Sequence, residues 1–374
     1  MAKGVLTHCS ETAPGQTLYI RGEAGLGKTA LLDQMALLAT ERNFDCHRVL
    51  LLNSGLGDDE RAAKVILSEL SEISVGATED AIDTVANEYR SAGILDEWGV
   101  YFFNMVLGLK PEGAVKIFLE SLDNVAQMNG RLDMICRIVE ASSKRNPLLI
   151  SIEDLHWADD EALALILRLA AITSDLPVLL VLTSRVEGDP LGELWQQGIG
   201  KARFVQMDLS PLSQSEALEF LVGFPQAPTK NLIDQCLAKA EGNPLFLDQL
   251  LRHASETDSG AVPGTIQSLV QSRIDRLAVD DRRILNAAAV LGQRFKMVAA
   301  TSIAGIEVYD ERHLIDASLI RPFGGDLLFS HALIRDGVYQ TILRDELHQL
   351  HQNAANWFEG RDNLLFAEHL EKSR

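Results

Sequence analysis

Long apolar runs are missing from this chain: no stretch approaches membrane-spanning length, and Met1 to Leu6 lacks the apolar segment of a secretory signal. No membrane partner is expected, and a cytoplasmic protein is. Cysteine is sparse as well, with Cys9, Cys46, Cys136 and Cys236 scattered and no C-x-x-C spacing among them. Such residues read as free thiols, not as a disulfide framework or a zinc site. Cations are in deficit, 34 Lys and Arg against 53 Asp and Glu, for a formal net charge of −19. Phosphate backbones are bound by cationic patches that release counterions, so direct nucleic-acid binding by this chain is not expected. What is present in quantity is core material: 374 residues, 47% of them hydrophobic, suffice for two or three packed units.

The residues Gly22-Glu23-Ala24-Gly25-Leu26-Gly27-Lys28-Thr29 spell G-x-x-x-x-G-K-T, after the β-prone run Thr17 to Ile20 and before a helical stretch from Ala30 to Ala39. This is a P-loop in the context that the motif requires. Its glycines let successive backbone N–H groups turn inward, and the helix that follows adds a partial positive charge. Residues Gly22 to Ala30 are therefore expected to hold the phosphates of ATP or ADP, with Lys28 reaching the β- and γ-phosphates and Thr29 ligating Mg²⁺.

Downstream, Pro147 to Ile152 is an apolar run suited to a buried parallel strand, and it ends in Glu153-Asp154. Carboxylates at that strand end lie at the ligand edge of a doubly wound sheet, as in a Walker B strand. Glu153 is expected to hold the Mg²⁺ shell and Asp154 to polarise a water. A third run, Pro177 to Leu182, ends in Thr183-Ser184-Arg185. These polar and cationic groups are candidates to sense the γ-phosphate; alternatively Arg185 pairs with a surface acid.

Four ordered segments carry a resemblance: Ile152-Glu153-Asp154-Leu155-His156-Trp157-Ala158-Asp159, Thr183-Ser184-Arg185, Glu241-Gly242-Asn243-Pro244-Leu245-Phe246-Leu247, and Phe329 to Tyr339. Together they resemble the STAND class of AAA-related signalling ATPases, in particular the ATPase modules of large LuxR-type transcriptional regulators and multidomain nucleotide cyclases. The resemblance spans nearly the whole chain. It implies a nucleotide switch between an ADP-bound closed form and an ATP-bound open form. It also implies that Pro244, in Gly242-Asn243-Pro244, lies over the nucleotide base, where the residues alone read as a turn between helices. His331 would reach the β-phosphate of ADP in that class; a capping or packing histidine is the other reading. Two departures stand out. Glu153 replaces the usual first Asp, which leaves its division of labour with Asp154 open, and Met1 to Gln16 contains no Gly-Arg-Glu element, as if the chain were trimmed at its start.

The expected fold is an α/β P-loop NTPase with a parallel sheet covered by helices on both faces, then a small helical lid and a winged-helix domain. Residues 1–208 form the nucleotide-binding domain, with a helical insert at about 57–142 marked by apolar spacing at Ala62, Val65, Ile66 and Leu70 and at Val115, Phe118, Leu119 and Leu122. Residues 209–258 form the lid and 259–345 the winged-helix unit, after a linker at Glu256 to Gly264. A hairpin is expected over Leu319 to Phe329 with its turn at Gly324-Gly325. Residues 346–374 begin a helical tail or repeat region, within a helical stretch from Ile342 to His369. The implied function is a slow ATPase switch that self-associates in its ATP state. Its inducer, a protein or small molecule, would act through a sensor region outside these residues, and its output domain also lies outside them. Alternatives are an AAA-type ATPase that remodels a protein partner and a non-catalytic scaffold.

Overall fold

The computed structural model describes residues 15–51, 61–73, 77–110, 113–192, 203–222, 230–256, 264–323 and 325–373. Cys9, most of the linker after Glu256, the first residues of the insert and Gly324 of the hairpin turn lie outside the described residues.

Period-two alternation builds the central sheet. Its strands are β1 (Gln16–Arg21), β2 (Asp45–Leu50), β3 (Leu148–Glu153), β4 (Val178–Ser184) and β5 (Phe204–Asp208), all parallel, in the order β2-β3-β4-β1-β5. Strands β3 and β4 are buried along their whole length, which explains their unbroken apolar sequence. Side chains leave a strand on opposite faces in turn. Leu18, Ile20, Leu149, Leu179 and Val181 thus pack with Leu32, Met35 and Ala39 of helix Lys28–Thr40. Tyr19, Leu148, Ile150, Ile152, Val178, Leu180 and Leu182 face a second cluster containing helix Asp160–Thr173 and the insert.

The insert is helical. Helices Arg61–Leu70, Glu79–Ser91, Glu97–Val106, Gly113–Ser121 and Asn124–Ser143 fill the long connection between β2 and β3. Thr78, Asp96 and Asp123 cap three of them by accepting hydrogen bonds from the N–H groups of Ala81, Gly99 and Ala126. Ile66, Leu70 and Leu119 are buried as their spacing predicts, while the side chains of Ala62, Val115 and Phe118 lie outside the described residues.

Contacts divide the chain into two units. Among the described residues, the first runs to Leu209, and the second comprises Ser210 onward together with Ala24–Gly27. In the second, Cys236, Ala240, Leu247, Leu250 and Leu251 knit helices Lys230–Ala240 and Pro244–Glu256 into a small core. A larger core follows, built on helix Val279–Leu291 and a three-stranded antiparallel sheet. That sheet contains β6 (Arg294–Phe295), β7 (Ile320–Phe323) and β8 (Asp326–Phe329), and β7 and β8 are the two arms of the hairpin. The stretch Ile342 to His369 is not one helix but two, Arg344–Phe358 and Asn363–Lys372. Gly360 separates them with a φ of 72°, a conformation that ends a helix at little cost for glycine. The final helix docks through a buried polar chain. Tyr339 Oη lies 2.9 Å from His351 Nε2, and His351 Nδ1 lies 2.9 Å from His369 Nδ1. Among the described residues no helix is long and apolar enough to cross a membrane.

Candidate functional site

Parallel strands deliver their following loops to one edge, and here that edge collects the chemistry. β1 leads into the P-loop, β3 into Glu153-Asp154 and β4 into Arg185, with β4 lying between the other two strands. The amide of Gly22 donates to Ser184 O at 3.2 Å, which ties the start of the loop to the end of β4. Gly25 and Gly27 have φ of 86° and 91°, values that a side-chain-bearing residue adopts with strain. The helix begins at Lys28, so its unpaired N–H groups open toward the loop.

Lys28 is buried, and its Nζ donates to Gly22 O at 2.6 Å and Glu23 O at 3.1 Å. Burial lowers its pKa, which the negative charge of Asp154 opposes and the positive charge of Arg185 reinforces. Thr29 Oγ1 donates to Glu153 Oε2 at 3.0 Å. A hydroxyl and a carboxylate converging at a helix N-terminus form part of the hard oxygen set that suits Mg²⁺. The other oxygen of Glu153 is held by Arg48, whose Nε lies 2.6 Å from Oε1 and whose Nη1 reaches Asp33 Oδ1 at 2.5 Å. Glu153 therefore stands between a P-loop threonine and a β2 arginine.

Asp154 has φ 59° and ψ 48°, the left-handed conformation that Asp tolerates better than most residues. Such strain is held by surrounding contacts and gathers at functional sites. Thr183 supplies one of those contacts: its Oγ1 accepts from the Asp154 amide at 3.2 Å. The Thr183 hydroxyl, grouped by sequence with the γ-phosphate sensors, is thus used to fix the acid. Burial raises the pKa of Asp154 and neighbouring Glu153 adds to the rise, while Lys28 and Arg185 oppose it. Arg185 forms no ion pair with an acid among the described residues; its field acts instead on Lys28, Asp154 and His156.

Two residues of this edge are missed by sequence reasoning. Arg48 carries a signal in hindsight, a cation within a strand just before buried Val49. His156 belongs to the short 3₁₀ turn Leu155–Trp157 after Asp154, and its ring packs against Trp157 at 4.8 Å between centroids. Its sequence neighbours carried the resemblance, but no role followed from it.

The remaining predicted residues belong to the second unit. Pro244 is the first residue of helix Pro244–Glu256, a position where its missing N–H costs nothing. Next to it, Asn243 Nδ2 donates to Ala24 O at 3.0 Å, and Leu245 N donates to Gly25 O at 3.2 Å. His331 caps helix Ala332–Thr341, its Nδ1 accepting from Leu333 N at 3.2 Å. This cap uses the lone pair of Nδ1, so it requires the neutral ring with its proton on Nε2.

Residues 4–181 match a family model described as an AAA ATPase domain. Over 99% of its length the chain superimposes, with a TM-score of 0.60 and 17% identity, on 47% of a Pyrococcus horikoshii STAND protein with a tetratricopeptide repeat sensor. An uncharacterized Rhizobium meliloti protein is 25% identical over 96% of this chain, which covers 37% of that protein. The Aeropyrum pernix ORC1 protein, solved in complex with DNA, aligns over 91% of this chain at 13% identity and a TM-score of 0.41. The chain therefore shares its fold with the Pyrococcus STAND protein, and residues 4–181 are similar to the AAA ATPase domain. It spans less than half the length of the Pyrococcus and Rhizobium proteins.

Proposed function

We propose that this chain is the nucleotide switch of a larger signalling protein, binding ATP with Mg²⁺ and hydrolysing it slowly. The observation that carries the reading is the meeting, at one sheet edge, of Lys28, the Thr29–Glu153 pair at 3.0 Å, and Asp154 beside them. Lys28 leaves two backbone carbonyls for the β- and γ-phosphates, an exchange of neutral acceptors for charged ones. Thr29 and Glu153 hold Mg²⁺, which offsets charge on the phosphates. Asp154, aimed by its left-handed backbone and the Thr183 hydroxyl, takes a proton from the attacking water. Arg185, with no acid partner among the described residues, meets the γ-phosphate.

Pro244 packs on the base, and His331 contacts the ADP β-phosphate through Nε2–H. The unit around β6, β7 and β8 acts as a winged-helix switch element, and loss of its closed-state contacts frees surfaces for self-association. Sensor and output parts lie outside this chain, an arrangement supported by the greater length of the proteins it resembles. The scattered free thiols Cys46, Cys136 and Cys236 suit the cytoplasm.

Asp154→Asn tests the reading. The amide is nearly isosteric but a poor proton acceptor, so the variant should bind ATP within about twofold of wild type while its single-turnover rate drops about a hundredfold. Lost binding with turnover spared would reverse the roles of Glu153 and Asp154.

A further inference from the structure

Asn243, the residue before helix Pro244–Glu256, serves that helix and the P-loop at once. Its Oδ1 accepts from the amide of Phe246 at 3.1 Å, which caps the helix, and its Nδ2 donates to Ala24 O at 3.0 Å. The Phe246 N–H needs an oxygen and Ala24 O needs a donor, so the two bonds together set which way round the side-chain amide lies. The Asn243 backbone is held as well: its N–H donates to Ala240 O at 2.8 Å, and its carbonyl accepts from Leu247 N at 2.9 Å. Two residues on, the Leu245 amide, which a helix start leaves without an intrahelical acceptor, donates to Gly25 O at 3.2 Å. Ala24–Gly27 and this helix belong to the same compact unit.

Holding the carbonyls decides where the amides point. A peptide group is planar and trans, so its C=O and N–H are directed oppositely; with Ala24 O turned to Asn243, the Gly25 N–H faces away from Asn243. Ala24 and Gly25 form a turn, and the Gly25 φ of 86° is that of the third position of a type II turn. A half-turn of the single peptide between them gives a type I turn, which glycine adopts at little cost. That flip would put the Ala24 carbonyl where the Gly25 N–H had been. Residue 25 is fitted to the unflipped state by its missing side chain, since a Cβ there would stand 2.6 Å from Asn243 Oδ1.

We propose that Asn243 is a positioning residue for the nucleotide phosphates: it locks the Ala24–Gly25 peptide with its N–H toward them and its carbonyl turned away. The role rests on the nucleotide-binding reading above and is exerted through Gly25; Asn243 itself touches no part of the ligand. A flipped peptide would aim the negative end of its dipole at an anion, so only the unflipped loop is competent to bind. Lys28 gives up the carbonyls of Gly22 and Glu23 when phosphates arrive, whereas the carbonyls of Ala24 and Gly25 keep partners for which a phosphate does not compete. The clamp therefore persists in the bound state.

Two variants separate the clamp from the cap. Ser caps a helix about as well as Asn but is too short to cap and reach Ala24 O together, whereas Ala can do neither. The probes are Mg-ADP, followed by calorimetry, and pyrophosphate, followed by its displacement of a fluorescent ADP analogue. Wild type should bind both. Asn243→Ser should melt within a few degrees of wild type yet bind both probes about three- to tenfold more weakly, because losing one neutral hydrogen bond lets the peptide flip in the free protein. Asn243→Ala should lose the same factor for both probes and melt lower than Asn243→Ser. Affinities that track the melting temperature across the two variants would make Asn243 a structural cap alone. A loss confined to ADP, with pyrophosphate unaffected, would move the effect to Pro244 and the base, and a wild type that binds ADP but not pyrophosphate would show that phosphates alone do not engage the loop. Each of these results overturns the role of Asn243 and leaves the nucleotide reading standing. A folded wild type that binds neither probe would remove both.

Discussion

Replacing Arg48 by Met probes how the Mg²⁺-side acid is held. The Arg48 side chain is about a quarter exposed while the Glu153 side chain is 6% exposed, so the substitution leaves a buried carboxylate without its cation. Removing one member of a buried pair costs about 3–5 kcal/mol in general. Here the figure belongs below that range. Thr29 keeps its bond to Oε2, and among the described residues Arg48 Nη2 has no hydrogen-bond partner, so its burial already weighs against the wild type. The second arm of Arg48 reaches Asp33, which is half exposed, and adds no more than about 0.5 kcal/mol. A net loss of about 2–3 kcal/mol follows, or a fall in melting temperature of roughly 4–12 °C for a unit of this size. Calorimetric melting with and without Mg-ADP is the assay. Mg²⁺ would supply the positive charge that Arg48 no longer does, so Mg-ADP should raise the variant's melting temperature more than it raises the wild type's. A variant within about 1 kcal/mol of wild type, or one that gains no more than wild type from Mg-ADP, would refute the reasoning.

Two further outcomes follow from the second unit. His331→Asn keeps an oxygen acceptor for the Leu333 amide and should hold stability within about 1 kcal/mol, while faster release of a fluorescent ADP analogue, roughly ten- to a hundredfold by stopped flow, is expected if the imidazole contacts the β-phosphate; equal release rates would leave His331 as a cap alone. The buried pair His351 and His369 should make the second unit acid-sensitive: burial foremost pushes the pKa of His351 down from the ordinary 6.5 to about 4, with the His369, Lys372 and Arg335 charges adding to the shift and Glu368 opposing it. The unfolded chain then binds more protons than the folded one between these values, so stability is complete above pH 6.5 and falls as pH drops toward 4, by at most about 2 kcal/mol at pH 5. Thermal melts should show this slope in the wild type and a shallower one in His351→Phe; equal slopes would contradict it.

Legibility differed from residue to residue for physical reasons. The P-loop and the acids after β3 could be read because each is a local pattern, an apolar strand followed at once by its functional group. Arg48 could not be read that way. It reaches Glu153 only because β2 pairs with β3 across 105 residues of sequence, with Arg48 opposite Ser151 and Leu50 opposite Glu153. Thr183 shows another limit: sequence placed its hydroxyl at the right strand end, but only geometry shows that it is committed to the Asp154 amide. His156 was in plain view within the most telling motif, yet its unpaired burial is a property of packing. The split at Gly360 was missed because apolar spacing continues on both sides of it, and the glycine alone carries the signal.

Isothermal calorimetry of the wild type and Lys28→Ala, titrated with ADP and with a non-hydrolysable ATP analogue in Mg²⁺, tests the central claim most directly. Lys28 is the mobile cation expected at the β- and γ-phosphates, and the wild type should bind both nucleotides while the variant binds neither measurably. Nucleotide affinity unchanged in Lys28→Ala, or no binding by a folded wild-type protein from which bound nucleotide has been removed, would contradict the account.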